Sequence, residues 1–247
     1  MSVPRFHVDA DIGVGDVGRE VALPDAAAHH ALRVLRLATG DALTLFTGGG
    51  GEFTARLVRA DKRDAWVRLD AFSAVEREPA LSVTLVQGIP ANDAMDFVVR
   101  RAVELGVAAV QPVIAARGAR FPSDERGRKR LAHWRQIAVS ACEQCGRNRV
   151  PPVHDGADLD AWLAARAAAR PGIVLDPAAR IGIDAVPTPA SSIDLLVGPE
   201  GGFTSDEVAR ATRAGFTPVR IGPRILRTET ASLAALAAIH TLWGDFR

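Results

Sequence analysis

The chain has 247 residues, 48% of them hydrophobic and 24% charged, which provides enough apolar material for a core and excludes wholesale disorder. No run of about 18 apolar residues is present, so we predict no membrane span. The first nine residues lack the apolar segment of a secretory signal. Two cysteines are too few for a disulfide framework, so we expect a protein of the reducing cytoplasm. The formal net charge is only +1, so any charged surface must come from local clustering.

The first 75 residues have the pattern of a small antiparallel β domain, which we expect to close into a barrel. Residues 42–46, 52–58 and 65–69 alternate between apolar and polar side chains, as half-buried strands do. Four consecutive glycines at 48–51 separate the first two runs and favour a tight turn. A charged linker at 73–79 ends the domain.

One helix is predicted inside this domain, from Pro24 to Leu37. It carries two histidines and two arginines at spacings that place them on one side, namely His29, His30, Arg33 and Arg36. This stripe is either an ordinary solvated surface or a patch that contacts phosphate groups, and the spacing alone leaves both interpretations open.

From residue 80 onward, apolar strands alternate with helices. Strands are predicted at 81–87, 107–115, 173–175 and 193–197. Helices are predicted from Asp93, as the capping residue, to the stop signal Gly106, then at 126–145 and at 159–169. This alternation is typical of an α/β domain with a mostly parallel sheet covered on both faces, so we assign residues 80–247 to such a domain.

Positive charge is concentrated between residues 117 and 149, where nine arginines or lysines stand against three acids. Such a segment in a nearly neutral protein favours a polyanionic partner such as RNA, because phosphate contacts provide most non-specific affinity for nucleic acids. A solvated helix face is the alternative. The candidate RNA contacts in this segment are Arg117, Arg126, Arg128, Arg147 and Arg149.

The same segment contains Cys142 and Cys145, a C-x-x-C spacing. Redox or zinc chemistry can use such a pair. However, the sequence has no second pair, and neither His133 nor His154 lies at a standard ligand spacing. We therefore expect both cysteines to pack in the structure, and we predict no metal site.

The strongest local signal for chemistry is a strand at 195–197 that runs into Gly198–Pro199–Glu200–Gly201–Gly202. A helix follows, with Thr204 and Glu207 as a capping box. After a further strand at 216–221 comes a second turn, Gly222–Pro223–Arg224–Ile225–Leu226–Arg227. The last helix, 230–243, is apolar nearly all round, so we expect it to be buried. Glycines after strand ends let a ligand approach the backbone, and open α/β sheets bind ligands at that edge.

The residues around these turns narrow the choice of ligand. No glycine precedes Lys-Ser or Lys-Thr, so a P-loop is absent. No Asp or Glu occurs between Val208 and Thr228, where a dinucleotide-binding fold would have its ribose ligand. Glu200 in the first turn opposes a pyrophosphate at the following helix. A ligand with positive charge and few phosphates fits better, and S-adenosylmethionine is such a ligand.

The string from Leu195 to Ala231, LLVGPEGGFTSDEVARATRAGFTPVRIGPRILRTETA, resembles the C-terminal signature of the bacterial 16S rRNA uracil-N3 methyltransferases of the SPOUT superfamily. The resemblance extends to HHALRVLRL from His29, MDFVVRRAVELGVAAVQPV from Met95 and WRQIAVSACEQCGRNRVPPV from Trp134, so it spans nearly the whole chain. It implies a trefoil-knotted α/β domain that holds S-adenosylmethionine, a PUA-like RNA-binding barrel at 1–75, and a homodimer. The implied product is 3-methyluridine in the decoding region of small-subunit rRNA.

The resemblance also implies which residues bind the cofactor. They lie in the two turns and on a neighbouring strand: Leu175, Gly198, Pro199, Glu200, Gly201, Gly202, Ile221, Gly222, Ile225, Leu226, Arg227 and Thr228. Methyl transfer to N3 of uridine requires the loss of a proton there. Glu200 or Glu229 could accept this proton or could instead hold loop backbone, and Arg227 could orient the uracil or the methionine carboxylate.

One loop departs from the family pattern. Relatives carry basic residues before the helix near Met95, whereas Ala91 and Ala94 stand in this chain, which weakens a role for that loop in gripping RNA. Two other functions stay open at this point: a nucleotide-dependent oxidoreductase on an open α/β sheet, and an RNA-binding module without catalysis. The missing ribose acid counts against the first.

Overall fold

A computed structural model of the protein describes residues 3–61, 64–91, 93–166 and 170–246. The chain divides into two compact units. The first contains residues up to 78 together with 142–150, and the second contains 79–141 together with 151–247. The sequence led us to expect two contiguous domains, so the segment 142–150 belongs to the first unit against that expectation.

The first unit is built on a sheet with the strand order β1–β3–β4–β5–β2. Its strands in chain order are β1 (Arg5–His7), β2 (Glu20–Ala22), β3 (Ala42–Phe46), β4 (Glu52–Ala60) and β5 (Ala65–Ser73). The predicted strands β3, β4 and β5 form antiparallel pairs. The sheet is not wholly antiparallel, however, because β1 pairs with β3 in parallel. A strand of three residues is too short for its alternation to be recognised in the sequence.

The predicted helix of this unit begins as α1 (Asp25–His29) and continues as a π-helical turn, His30–Val34. Arg36 follows with a φ of +57°, so the helix ends before the predicted Leu37. Ala27, Ala28 and Ala31 face a core that includes Phe6, Leu45, Leu57 and Val67. The histidines and arginines of the stripe remain on the exposed side.

The second unit contains a parallel sheet of order β11–β9–β10–β6–β7–β8. These strands are β6 (Ser82–Gly88), β7 (Ala109–Ile114), β8 (Ala157–Asp158), β9 (Gly172–Leu175), β10 (Ser192–Val197) and β11 (Phe216–Val219). Leu195 and Leu196 point to opposite faces of β10, and both are completely buried. The sheet is therefore covered on both faces, which confirms the predicted α/β class.

The helices of the second part of the chain are α2 (Ala94–Glu104), α3 (Glu125–Cys145), α4 (Leu159–Ala165), α5 (Ser205–Arg213) and α6 (Thr228–Trp243). Residues of α4 and α5 pack against Val86, Val174 and Leu196 of the sheet. Helix α6 contacts α2, β6 and β10. Short 3₁₀ helices lie at Val14–Asp16 and Ile183–Ala185.

Several predicted boundaries shift. The described part of α4 ends at Ala165, and residues 167–169 of the predicted helix lie outside the described residues. Strand β11 ends at Val219 rather than at residue 221, and α6 begins two residues earlier than predicted. Helix α6 is not buried all round, because Leu242 is 38% exposed and only one side of the helix lies in the core.

Side-chain caps were predicted at the starts of α5 and α2, and the described part of the chain contains only the first of them. The capping box of α5 is confirmed: the Thr204 hydroxyl accepts a hydrogen bond from the Glu207 backbone N–H, and the Glu207 carboxylate accepts one from the Thr204 N–H. Asp93 stands at the start of α2, but within the described residues its side chain makes no capping hydrogen bond. In the part of the chain that the structure describes, no helix is long and apolar enough to cross a membrane.

Candidate functional site

A cleft of about 220 Å³ lies where strands β9, β10 and β11 end. These three strands are neighbours in the parallel sheet, so the segments that follow them meet at one edge. Eleven of the predicted cofactor residues line the cleft: Leu175, Gly198, Pro199, Glu200, Gly201, Gly202, Ile221, Gly222, Ile225, Leu226 and Thr228. The two glycine-containing turns that the sequence singled out therefore form one site.

The first turn, residues 198–202, is braced from two sides. The Glu200 Oε1 atom accepts a hydrogen bond of 2.9 Å from the backbone N–H of Ala91. The Arg117 Nη1 atom donates one of 3.0 Å to the carbonyl of Gly201. At Gly202 the backbone has a φ of +65°, which favours glycine, and the space that a side chain would fill is open. The turn is thus fixed in place but leaves room beside its backbone.

The second turn, residues 222–227, is more exposed. Gly222 has a φ of +66°, and Ile225 is 79% exposed although it lines the cleft. A large apolar side chain so exposed beside a cleft is well suited to cover part of a bound ligand.

A neutral polar network lies beneath the cleft. The Gln87 amide nitrogen donates to the Thr228 hydroxyl at 2.9 Å, and the Thr228 hydroxyl donates to the Gly198 carbonyl at 2.5 Å. The Ser232 hydroxyl donates to the Gln87 Oε1 atom at 2.5 Å. All three side chains are buried, and together they join β6, the first turn and α6.

Glu207 ties the loop after β7 to helix α5. Its carboxylate accepts hydrogen bonds from the backbone N–H groups of Ala116 and Thr204 at 2.8 and 2.7 Å. Burial alone would raise the pKa of Glu207, but these hydrogen bonds outweigh it and hold the pKa below its ordinary value of 4.5. The carboxylate therefore stays ionised as a structural anchor at neutral pH.

The lining of the cleft fits S-adenosylmethionine. Apolar side chains of Leu175, Val197 and Ile221 offer a surface for an aromatic ring. The carboxylates of Asp176 and Glu200 suit a positive group, and the guanidinium groups of Arg220 and Arg224 suit a carboxylate. S-adenosylmethionine combines an aromatic base, a sulfonium and an amino-acid carboxylate.

Two predicted catalytic residues lie beside the cleft rather than in its lining. Arg227 immediately precedes α6 and is exposed, and Glu229 lies in the first turn of that helix and is half-buried. Glu200 does line the cleft, but one of its oxygens already holds the Ala91 backbone.

Most of the predicted RNA contacts are exposed. These are His29, His30, Arg33, Arg36, Arg117, Arg126, Arg128 and Arg149. The prediction that Arg147 contacts RNA is wrong, because this residue is 4% exposed and its guanidinium is bound to the carboxylate of Glu78. The count of charges could not reveal this partner, which lies 69 positions earlier in the chain.

Sequence reasoning missed part of the cleft. The additional lining residues are Asp176, Pro177, Val197, Val219, Arg220, Arg224 and Ala231. Asp176 and Pro177 directly follow β9, a strand that we did predict. Treating that strand end like the other two would have identified them.

The structure supports a packing role for Cys142 of the C-x-x-C pair. Cys142 is buried, and burial raises the pKa of its thiol to about 12, so it is neither a ready nucleophile nor a ready ligand. Among the residues that the structure describes, no three His, Cys, Asp or Glu side chains are grouped to hold a metal ion.

The fold and the cleft together define a class of protein. The sequence model of the RNA methyltransferase domain family matches residues 76–240, and the model of the PUA domain found in RNA methyltransferases matches residues 23–70. The chain belongs to the RNA methyltransferase family.

Particular relatives narrow the comparison. The chain is 30% identical to the ribosomal RNA small subunit methyltransferase E of Buchnera aphidicola, over 99% of this chain and 96% of that protein. It is 41% identical to the crystal structure of the enzyme of the same name from Neisseria gonorrhoeae, which was solved bound to S-adenosyl methionine. That match has a TM-score of 0.93 and covers 100% of both chains. A methyltransferase from Legionella pneumophila, solved in complex with the same cofactor, is 33% identical over 100% of both chains, with a TM-score of 0.94.

Proposed function

We propose that this chain transfers a methyl group from S-adenosylmethionine to N3 of a uridine in the 16S rRNA of the small ribosomal subunit. The observation that carries the proposal is the cleft at the ends of β9, β10 and β11, lined by both glycine-containing turns. The names of the relatives and the cofactor bound in two of them support the same substrate and donor.

The residues of the two turns would hold the cofactor. Their glycines leave backbone N–H and C=O groups accessible, and the apolar side chains at 175, 197 and 221 would receive the adenine ring. When bound, S-adenosylmethionine supplies a methyl carbon that bonds to N3 while its bond to sulfur breaks and the sulfur becomes a neutral thioether. Holding donor and acceptor together in this way provides much of the rate.

The N3 proton must leave before or during transfer. Glu229 is the better candidate acceptor in this proposal, since Glu200 is engaged with the Ala91 backbone. Glu200 would then act mainly by holding the first turn. The exposed Arg227 would orient the uracil or the methionine carboxylate, because a guanidinium can donate one hydrogen bond to a uracil carbonyl oxygen or two parallel ones to a carboxylate.

We further propose that the exposed histidines and arginines at 29, 30, 33, 36, 117, 126, 128 and 149 contact the rRNA backbone. A homodimer and a knotted second domain are also part of the proposal. The incompletely buried α6 supports the homodimer, since the apolar side chain of Leu242 is 38% exposed on this helix. The proposed substrate is part of the ribosome, so the enzyme would act in the cytoplasm.

The proposal is tested in two steps with purified protein. Calorimetry should detect binding of S-adenosylmethionine but not of NADH, the ligand expected for an oxidoreductase. Incubation with small subunits from cells that lack the modification should then produce 3-methyluridine, detected by mass spectrometry of the nucleosides. Binding of RNA without methyl transfer would support a non-catalytic module instead, and no binding of the donor with or without rRNA would overturn the proposal.

The RNA contacts have a separate test. Replacing Arg126 and Arg128 together by Gln should reduce rRNA affinity and flatten its dependence on salt, because each lost phosphate contact removes about 0.7–0.9 from the slope of log K against log salt. The Arg147→Gln variant is unsuitable as a control because it breaks a buried ion pair, whereas Arg213→Gln changes an exposed arginine outside the proposed contacts. An unchanged slope in the double variant would refute these contacts.

A further inference from the structure

We propose that Gln87, buried beneath the cleft, is a positioning residue for the methyl donor: its side-chain amide fixes the Thr228 hydroxyl and, through it, the Gly198 carbonyl. This inference rests on the proposed function, because it assigns a role in binding the donor. Gln87 itself does not line the cleft, whereas Thr228 and Gly198 do.

The hydrogen-bond partners of Gln87 fix the orientation of its side-chain amide. The carbonyl oxygens of Gly88 and Gly198 can only accept, and they lie 2.9 and 3.4 Å from the Gln87 amide nitrogen. This orients the amide, so its oxygen faces the Ser232 hydroxyl at 2.5 Å. The Thr228 hydroxyl accepts from the Gln87 nitrogen and gives its single proton to the Gly198 carbonyl. The Gln87 amide thus shares its two protons among three acceptors, and the Ser232 hydroxyl also lies 3.0 Å from the Thr228 carbonyl, so the network is continuous from α6 to the first turn.

The network controls two walls of the cleft at once. It fixes the Gly198 peptide, where the first turn begins. It also fixes Thr228, the first residue of α6, and therefore the amino-terminal end of that helix, which contributes Ala231 to the lining. A fully satisfied buried network of this kind rigidifies the segments that it joins.

The network contains no ionisable group, because Gln87, Thr228 and Ser232 are all neutral. Replacement of Gln87 by Glu would direct a carboxylate at the Gly88 and Gly198 carbonyl oxygens, which cannot donate.

Gln111 provides a matched control on the neighbouring strand β7. It is also buried, and its amide nitrogen also donates to the carbonyl of the next residue, Pro112, at 2.9 Å. Its second acceptor is the Asp155 carbonyl, at 2.8 Å, which does not line the cleft. Replacing either glutamine by Met removes a buried side-chain amide at similar volume, with four hydrogen bonds lost at Gln87 and two at Gln111.

The test measures donor binding by calorimetry and thermal unfolding without ligand, on the full chain. We expect both Gln87→Met and Gln111→Met to lower the unfolding midpoint, and only Gln87→Met to weaken S-adenosylmethionine binding, by about tenfold or more. Thr228→Val should weaken binding similarly, and Thr228→Ser, which keeps the hydroxyl, should restore most of it. Equal donor affinity in wild type and Gln87→Met, or equal losses in the two Thr228 variants, would overturn the inference.

Hydrogen exchange in the ligand-free protein separates this inference from the proposed function. The amides of residues 200–203 should exchange at least about tenfold faster in Gln87→Met than in Gln111→Met, because the brace under the first turn is gone. This result would support the brace under the first turn even if the wild type bound no S-adenosylmethionine, an outcome that would refute the proposed donor. Equal exchange in the two variants would refute the brace, whatever the ligand.

Discussion

The polar groups buried at the two ends of strand β10 are satisfied in different ways. Near its amino end, Asp194 is buried between the guanidinium groups of Arg166 and Arg170, at 3.1 and 2.6 Å. Beyond its carboxyl end, Gly198 meets the neutral network of Gln87 and Thr228. The arrangement near the amino end consists of oppositely charged side chains, whereas the network beyond the carboxyl end contains no charged side chain.

This difference separates stability from ligand binding. Arg166 also donates to the carbonyl of Ala214 at 2.6 Å, and Arg170 donates to the Thr84 hydroxyl at 2.8 Å, so the charged cluster joins residues that are not part of the cleft lining. A buried ion pair contributes little net stability but is costly to break. Changes at the amino end should therefore affect folding, whereas changes at the carboxyl end should affect the donor.

The largest effect is expected for Asp194→Ala, which leaves the buried guanidinium of Arg166 and the partly buried one of Arg170 without their carboxylate. Unfolding in urea should show a loss of about 3–5 kcal/mol. Replacing all three charged residues by apolar ones of similar size should recover much of this loss. The contrast between the two ends fails if Asp194→Ala stays as stable as wild type, or if its folded fraction binds S-adenosylmethionine much more weakly.

Arg227→Ala should show the opposite behaviour, because Arg227 is exposed beside the cleft. We expect kcat/KM for methyl transfer to fall by about 100-fold, equivalent to about 2.7 kcal/mol, with an unchanged thermal midpoint. The matched control is Arg213→Ala, which removes another exposed arginine from the end of α5. A fully active Arg227→Ala enzyme would refute the role of this residue.

Gly88→Ala tests how closely the strands' carboxyl ends fit together. A Cβ atom at residue 88 would lie 2.8 Å from the Pro199 nitrogen, which is closer than such atoms approach, so the first turn would have to move. Calorimetry should show donor affinity reduced by about tenfold. Gly15→Ala is the control, since nothing lies within 4 Å of its added carbon. Equal donor affinity in both variants would mean that the turn tolerates the displacement.

The smallest effect concerns pH and Glu207. Its pKa is lower in the folded state than its ordinary value, so its stabilising contribution is present above about pH 4.5 and is lost as the pH falls through the folded pKa. Glu207→Gln should cost about 1 kcal/mol at pH 7, and the difference from wild type should shrink below pH 4.5. Urea unfolding at several pH values measures this, with the exposed Glu125→Gln as control. A difference in stability between Glu207→Gln and wild type that does not change with pH would contradict the lowered pKa of Glu207.

The local elements of the site could be predicted from the sequence because their signals are local. The apolar strand at 195–197, the glycines after it and the Thr204–Glu207 capping box all lie within a dozen residues. The positions of both turns followed from these signals. Periodicity and turn residues thus located both turns, and together with the family resemblance they identified eleven of the eighteen residues that line the cleft.

Contacts between distant segments could not be predicted in this way. Gln87 and Ser232 are separated by 145 positions, and neither has an unusual neighbour in the sequence. Arg147 looked like an RNA contact because nothing near it in the sequence indicates Glu78. Strands β1, β2 and β8, of three, three and two residues, were also missed because they are too short to show a period.

The discontinuous first unit has a practical consequence for dividing this protein. The Arg5 guanidinium donates to the Asn148 side chain at 2.6 Å, and the His7 N–H donates to Glu143 at 3.0 Å. A fragment cut at residue 78 would lose both partners and expose the groups that they satisfy. Truncation studies of RNA recognition should therefore supply the 142–150 peptide in the same polypeptide, for example grafted through a glycine-rich spacer.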